Sequence, residues 1–226
     1  MNVLVIGGTG RTGRHIVDKL LHRKAAVTVM SRHAAQNPQS EIKQLTYFQG
    51  SVLNPDSVMQ AAERVDAIII AVEPSFGSGS VNNAERVFVE GQKNVNAAAN
   101  ANNRAHVVLI SQIYITRPQQ MPSYVEAIRF RGQGERVLRT SGLPYTIIRP
   151  GWLEDGKDVP HTIRMEQGDT GEGSIRREDV AEVCVQALYH PSSQNKTFEI
   201  YSVVGETASH WDEAFAALEV DNSVSS

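Results

Sequence analysis

The clearest chemical signal is a set of glycines at 7, 10 and 13 in the run Val3-Leu4-Val5-Ile6-Gly7-Gly8-Thr9-Gly10-Arg11-Thr12-Gly13. An apolar strand-like run precedes them and an amphipathic helical pattern follows, the setting in which such glycines hold a dinucleotide. Gly7 permits a tight turn, Gly10 lets the backbone approach a pyrophosphate, and Gly13 lets helix pack closely on strand. The anion would meet free N–H groups at the positive end of the helix dipole. A second signal selects the dinucleotide. No acid occurs between Ala25 and Gln36, where an NAD-binding site usually offers a carboxylate to the adenosine ribose. The second apolar run ends instead in Met30-Ser31-Arg32-His33. The Ser31 hydroxyl and the Arg32 guanidinium suit a 2′-phosphate, and Arg11 is a second candidate for it. NADPH is therefore expected in preference to NADH.

These residues need elements to place them. Short Val- and Ile-rich runs predict strands at 2–6, 26–31, 45–49, 67–72, 106–110 and 145–149, alternating with amphipathic helices at 12–23, 55–64, 82–102 and 122–140. That alternation predicts an α/β Rossmann fold, a doubly wound parallel sheet in one domain over 1–226. Asn54 and Pro55 open one helix, as cap and first residue, and Pro122 opens another. After Gly151 the pattern changes to a Gly-rich, charged stretch at 154–173, expected to be irregular. A helix at 177–189, a strand at 196–201 and a helix at 209–218 follow. This C-terminal part is expected to cover the crevice at the strand ends where ligands bind. A Gly/Ser stretch at 76–80 reads as a linker and 222–226 as a frayed tail.

Of the 226 residues, 41% are hydrophobic and 21% charged, a balance that lets one α/β core offset the entropy of ordering the chain. The net charge of −3 offers no basic field for a nucleic acid. No stretch approaches the roughly 20 apolar residues of a membrane helix, and no basic leader precedes residues 3–6, so a cytoplasmic protein is expected. The lone Cys184, beside Val183, Val185 and Leu188, reads as core rather than as a reactive thiol. No metal-ligand spacing is present, and the oligomeric state is left open.

Taken in order, the glycine loop, Arg32, Gly50-Ser51-Val52, Ala71-Val72, Ser111, the segment SGLPYTIIRPGWL at 141–153 and REDVA at 177–181 carry a resemblance over nearly the whole chain. The sequence resembles the atypical short-chain dehydrogenases/reductases, within the NAD(P)H-binding group that includes flavin and biliverdin reductases and NmrA-like proteins. The resemblance implies that Gly7, Thr9, Gly10, Arg11 and Thr12 hold the pyrophosphate and that Arg32 meets the adenosine phosphate. It also implies that Ser51 and Val52 flank adenine, although an acid is commoner at the Ser51 position. Ala71 and Val72 would line the cofactor at the fourth strand, and Pro150, Gly151, Trp152 and Leu153 would lie beside the nicotinamide.

Ordinary members of that superfamily use a serine with Tyr-x-x-x-Lys, whose one-turn spacing lets the ammonium lower the phenol pKa. Here Tyr124 is followed four residues later by Ile128, while Ala127 and Arg131 stand where the tyrosine and lysine normally stand. Arg131 can donate to ribose hydroxyls but cannot exchange a proton near neutral pH. Ser111 closes the fifth strand at the edge where substrate and nicotinamide meet, and Tyr124, Tyr114 and His161 are further polar candidates there. Without the dyad, a conjugated small-molecule acceptor that spreads the incoming charge is favoured over an isolated ketone. The expectation is an NADPH-dependent oxidoreductase acting on a quinone, flavin or enone. The alternatives are an NmrA-like redox sensor that binds NADP(H) without catalysis, and a ketoreductase using Ser111 and Tyr124.

Overall fold

The computed structural model describes residues 1–34, 42–74, 83–156, 160–205 and 210–222. The expected linker at 76–80, the first residues of the helices expected at 82 and 209, and the tail beyond 222 lie outside them. Eight strands form one sheet: β1 (Asn2–Ile6), β2 (Ala26–Ser31), β3 (Leu45–Gln49), β4 (Ala67–Ile70), β5 (His106–Ile110), β6 (Tyr145–Pro150), β8 (His161–Glu166) and β10 (Lys196–Val204). Their order is β3-β2-β1-β4-β5-β6-β10-β8, parallel throughout except for the β10–β8 pair. A small parallel pair, β7 (Trp152–Glu154) with β9 (Ser174–Arg176), stands apart. The order reverses between β1 and β4. A crevice opens there beyond the carboxyl ends of the strands, the place where doubly wound sheets bind ligands.

The strand alternation divides the core in two. Val3 and Val5 of β1 face α1 (Arg11–His22) and α5 (Arg177–Tyr189) through Ile16, Leu20, Val180 and Val183. Leu4 and Ile6 face the other side, with α2 (Pro55–Ala61), α3 (Gly91–Ala101) and α4 (Val125–Arg139) packed through Val58, Val95 and Leu138. A last helix, α6 (Trp211–Ala216), packs by its buried Phe215 against Phe198 of β10. Cys184 is buried in α5, and desolvation pushes its thiol well above the ordinary range, as suits a core residue. No helix of the described residues is long and apolar enough to cross a membrane.

The element ends differ from sequence expectation in instructive places. β4 stops at Ile70 rather than 72. Ala71 still donates to the Ile6 carbonyl, after which the chain passes over the turn at Gly7. The helix expected at 82–102 carries a π-helical turn, Arg86–Glu90, before α3, and that at 122–140 begins with a 3₁₀ turn, Pro122–Tyr124. The irregular stretch expected at 154–173 is corrected most. It contains β8, which pairs antiparallel with a β10 longer than expected, register Glu199↔Glu166 through Val204↔His161. A partly exposed edge strand carries little apolar alternation, so its pattern is weak in the sequence. Asn54 caps α2 as expected, accepting from the Ser57 N–H at 3.1 Å.

Candidate active site

Two cavities lie side by side at the carboxyl edge of the sheet. The first, a groove of about 180 Å³, is lined by Gly7, Thr9 and Gly10 after β1, Ser31, Arg32 and His33 after β2, Ser51 and Val52 after β3, and Ala71, Val72 and Glu73 after β4. Four consecutive strand ends thus converge on one trough. Gly7 sits at φ +85°, a conformation that L side chains rarely adopt. A Cβ on Gly13 would collide with the Gly7 carbonyl oxygen, so the first turn of α1 packs directly on the loop. At Gly10, by contrast, a Cβ would meet only the Gly7 oxygen, at 3.1 Å, and otherwise project into open space. Gly10 caps α1 without a side-chain hydrogen bond, and no acid occupies the first turn. That leaves N–H groups and the positive end of a 12-residue helix for an anion. The trough, the glycine cradle and the uncapped helix fit a dinucleotide pyrophosphate.

At the far end of the groove, Ser31 Oγ accepts from the His33 backbone N–H at 3.1 Å and from the Thr9 hydroxyl at 3.0 Å. Arg11 departs from its expected neighbours. It forms an ion pair with Asp155, which also pairs with Arg177 at 2.8 Å, so Asp155 links the glycine loop to the chain that follows β7. Both hydrogen bonding from Arg11 and pairing with Arg177 hold the Asp155 carboxyl below the usual carboxylate range.

The second cavity, about 410 Å³, is lined largely by apolar side chains, among them Phe88, Ile113, Met121, Ile128, Trp152 and Leu153. Ser111, Tyr114, Tyr124, Arg131, Pro150 and Gly151 also face it, and no lysine is among its described lining residues. The stretch Pro150 to Leu153 therefore lines this cavity rather than the groove. Tyr124 and Trp152 are each about half exposed at its rim, whereas Arg131 is 5% exposed. The Arg131 Nη2 donates to Glu73 at 2.5 Å, its Nη1 reaches the carbonyls of Ile110 and Ser111, and its guanidinium lies 4.1 Å from the Phe88 ring centroid.

Ser111 lines the cavity at the end of β5, where the sequence places it. Its hydroxyl donates to Glu135 at 2.6 Å, so that proton is committed to a buried carboxylate. Glu135 is fully buried and also accepts from Arg149 at 2.6 and 3.0 Å and from Arg139 at 2.8 Å, while Arg149 reaches on to Glu199 at 3.0 Å. Burial pushes the Glu135 carboxyl up, but its bonds and charge pairing with Arg149, helped by Arg139 and Ser111, outweigh this and hold it below the ordinary value. For Glu199 burial wins and the carboxyl is held above it. His161 lies away from the cavity, paired with Asp179 at 2.8 Å, and the Tyr114 hydroxyl donates to Glu172 at 3.3 Å.

Glu73, Glu135 and Arg149 were not singled out by sequence. Glu135 and Arg131 stand four apart on α4, and Arg149 lies within IIRPGW, but nothing local signals that they converge. A charged residue inside an apolar strand run, such as Arg149 in β6, was the available hint.

Residues 7–191 match the NAD(P)H-binding family. The chain belongs to that family. Sanguinarine reductase of Eschscholzia californica is 27% identical to it, covering 96% of this chain and 96% of that one. The NAD(P)H azoreductase of Xenophilus azovorans is 26% identical over 96% of this chain and 72% of its own length. Among solved structures, the oxidoreductase ylbE from Lactococcus lactis superposes with a TM-score of 0.77 at 22% identity, covering 96% of each chain, a likeness of fold.

Proposed function

We propose that the protein passes hydride from NADPH to a conjugated small-molecule acceptor, of quinone, flavin or enone type, without a Tyr–Lys dyad. The observation that carries this reading is the set of polar groups around the apolar cavity. On α4 the groups facing it are Ala127, Ile128 and Arg131, and the Ser111 proton is already given to Glu135. A guanidinium does not release a proton near neutral pH. Hydride added to an isolated ketone makes a localised alkoxide that needs a positioned acid, whereas a conjugated acceptor disperses the charge. The cavity therefore suits an acceptor whose reduced form can take its proton from water at the open rim near Tyr124 and Trp152. Apolar walls orient the acceptor, and orientation supplies much of the rate.

The groove would hold the dinucleotide, which supplies the hydride. Gly7, Gly10 and the first turn of α1, with Thr9, Thr12 and the backbone of Arg11, would take the pyrophosphate, while Gly13 lets that turn pack on the loop. Ser51 and Val52 would take the adenine, and Arg131 the ribose near the junction. The preference for NADPH rests on the corner made by Thr9, Ser31, Arg32 and His33. With its oxygen filled by the Thr9 hydroxyl and the His33 N–H, Ser31 is left to donate its own O–H, and Arg32 is donor only. Such a corner suits a phosphate better than a sugar hydroxyl that needs an acceptor. NADPH oxidation followed at 340 nm against a panel of quinones, flavins, enones and simple ketones tests the proposal. Turnover is expected with the conjugated compounds. Faster turnover of simple ketones would restore a ketoreductase, and binding without turnover of any compound would leave the sensor.

A further inference from the structure

Glu73 is the only residue, among those described, that lines both cavities. It follows β4 at the carboxyl edge of the sheet, with its side chain 61% exposed, and its Oε2 meets a cation that is nearly out of water, Arg131, 6% exposed. The pair forms a dipole whose positive end is packed over Phe88 and against the Ile110 and Ser111 carbonyls. Its negative end is the carboxylate at the junction of groove and pocket. If the groove takes the dinucleotide and the pocket the acceptor, the hydride crosses at that junction.

A dihydronicotinamide ring is neutral. When its C4–H bond breaks and the electron pair leaves with hydrogen to form the new bond on the acceptor, the ring is oxidised to a cation and the acceptor is reduced. A fixed carboxylate at the crossing favours that charge as it develops, and it does so without moving in the step. We infer that Glu73 is a catalytic residue that stabilises the positive charge appearing on the nicotinamide, so that the site prefers the oxidised ring more than a neutral side chain would allow. This rests on the proposed dinucleotide reading of the groove. The glutamate has a second effect in the same direction, because it compensates Arg131, whose unpaired charge would oppose the oxidised ring.

Binding of the two redox forms tests this without turnover. The dissociation constants of NADP+ and NADPH are measured by calorimetry for wild type, Glu73→Gln, Glu73→Ser and Glu73→Asp. Repulsion between Glu73 and the phosphates acts on both forms alike and cancels in the ratio Kd(NADP+)/Kd(NADPH). That ratio should rise roughly five- to tenfold in Glu73→Gln, and likewise in Glu73→Ser should the glutamine variant fail to fold, the effect of one charge at a part-exposed site. In Glu73→Asp it should stay within about twofold of wild type, because the charge is retained. An unchanged ratio in the neutral variants overturns the inference, as does an equal rise in Glu73→Asp, which would make the effect one of shape. Failure of wild type to bind either form would instead overturn the dinucleotide reading, and this inference with it.

Discussion

The groove and the apolar pocket adjoin on one sheet edge but are made of different material. The groove is mostly backbone and short side chains from residues 6–10, 30–33, 50–52 and 71–73, each set at the end of a strand. The pocket is mostly large side chains brought from Phe88, the segment after β5, α4 and the chain around β7. Beneath it lies a charge network, Ser111–Glu135–Arg149–Glu199, whose members come from β6, β10, α4 and the residue that follows β5. A backbone-built site depends on local geometry and tolerates change in distant packing. A side-chain-built site depends on long-range contacts that fix where each group points.

The sharpest way to break this contrast is at the buried network. Glu135→Gln leaves Arg149 and Arg139 without their shared carboxylate and should cost about 3 to 5 kcal/mol of stability in denaturant unfolding. The pH dependence has a definite sign. The Glu135 carboxyl is held below its ordinary 4.5 in the folded chain, so its contribution is fully present above that value and is lost as pH falls through the folded value. The gap between wild type and variant should therefore be constant near neutral pH and close in acid. Glu199, held above the ordinary value, contributes in the opposite sense in the wild-type chain. A variant of unchanged stability at pH 7 would show the network to be dispensable.

The groove is tested by two glycines with opposite expectations. Gly10→Val should weaken dinucleotide binding by about 3 kcal/mol or more, on the order of a hundredfold, while circular dichroism shows a folded chain, since its Cβ faces open space. Gly13→Val should lose fold and binding together, because its Cβ strikes the Gly7 carbonyl. Tight binding by a folded Gly10→Val would show that nothing approaches that backbone. The next effect in size is that of Arg32→Glu. NADPH should bind wild type about tenfold or more tightly than NADH, and the variant should lose that preference, a change of roughly 1.5 to 3 kcal/mol for a charge-assisted contact. The smallest effect is expected at the rim. Tyr124→Phe should lower turnover by less than about tenfold, against the roughly 10² to 10⁴ of a general acid, with cofactor affinity measured alongside. A thousandfold loss at intact affinity would assign the proton to that phenol.

The same contrast explains what was legible. β1, β2 and β5 begin and end where the residue pattern puts them, because strands buried on both faces read as apolar runs, and the edge strand β3 and helix α5 keep their expected bounds as well. The positions expected to meet a dinucleotide at 7, 9, 10, 31, 32, 51, 52, 71 and 72 line one groove. Each lies at a strand end, and parallel order alone brings such ends together. β8 was missed because its partly exposed residues lie in a charged, Gly-rich stretch with little apolar alternation. The bond from the Ser111 hydroxyl to Glu135 was not legible, because that partner is 24 residues away on a helix whose rotation the pattern does not fix.

By itself, then, the sequence determined the α/β alternation, the glycine turn and the donor-rich end of β2, all of which follow from interactions within a few residues of each other. Tertiary structure alone decided that Glu73 pairs with Arg131 where the two cavities meet, that Arg149 reaches Glu135 beneath Ser111, and that Arg11 turns toward Asp155. Those pairings span 58, 14 and 144 residues, and a charged side chain in a sequence carries no record of which opposite charge the fold will bring to it.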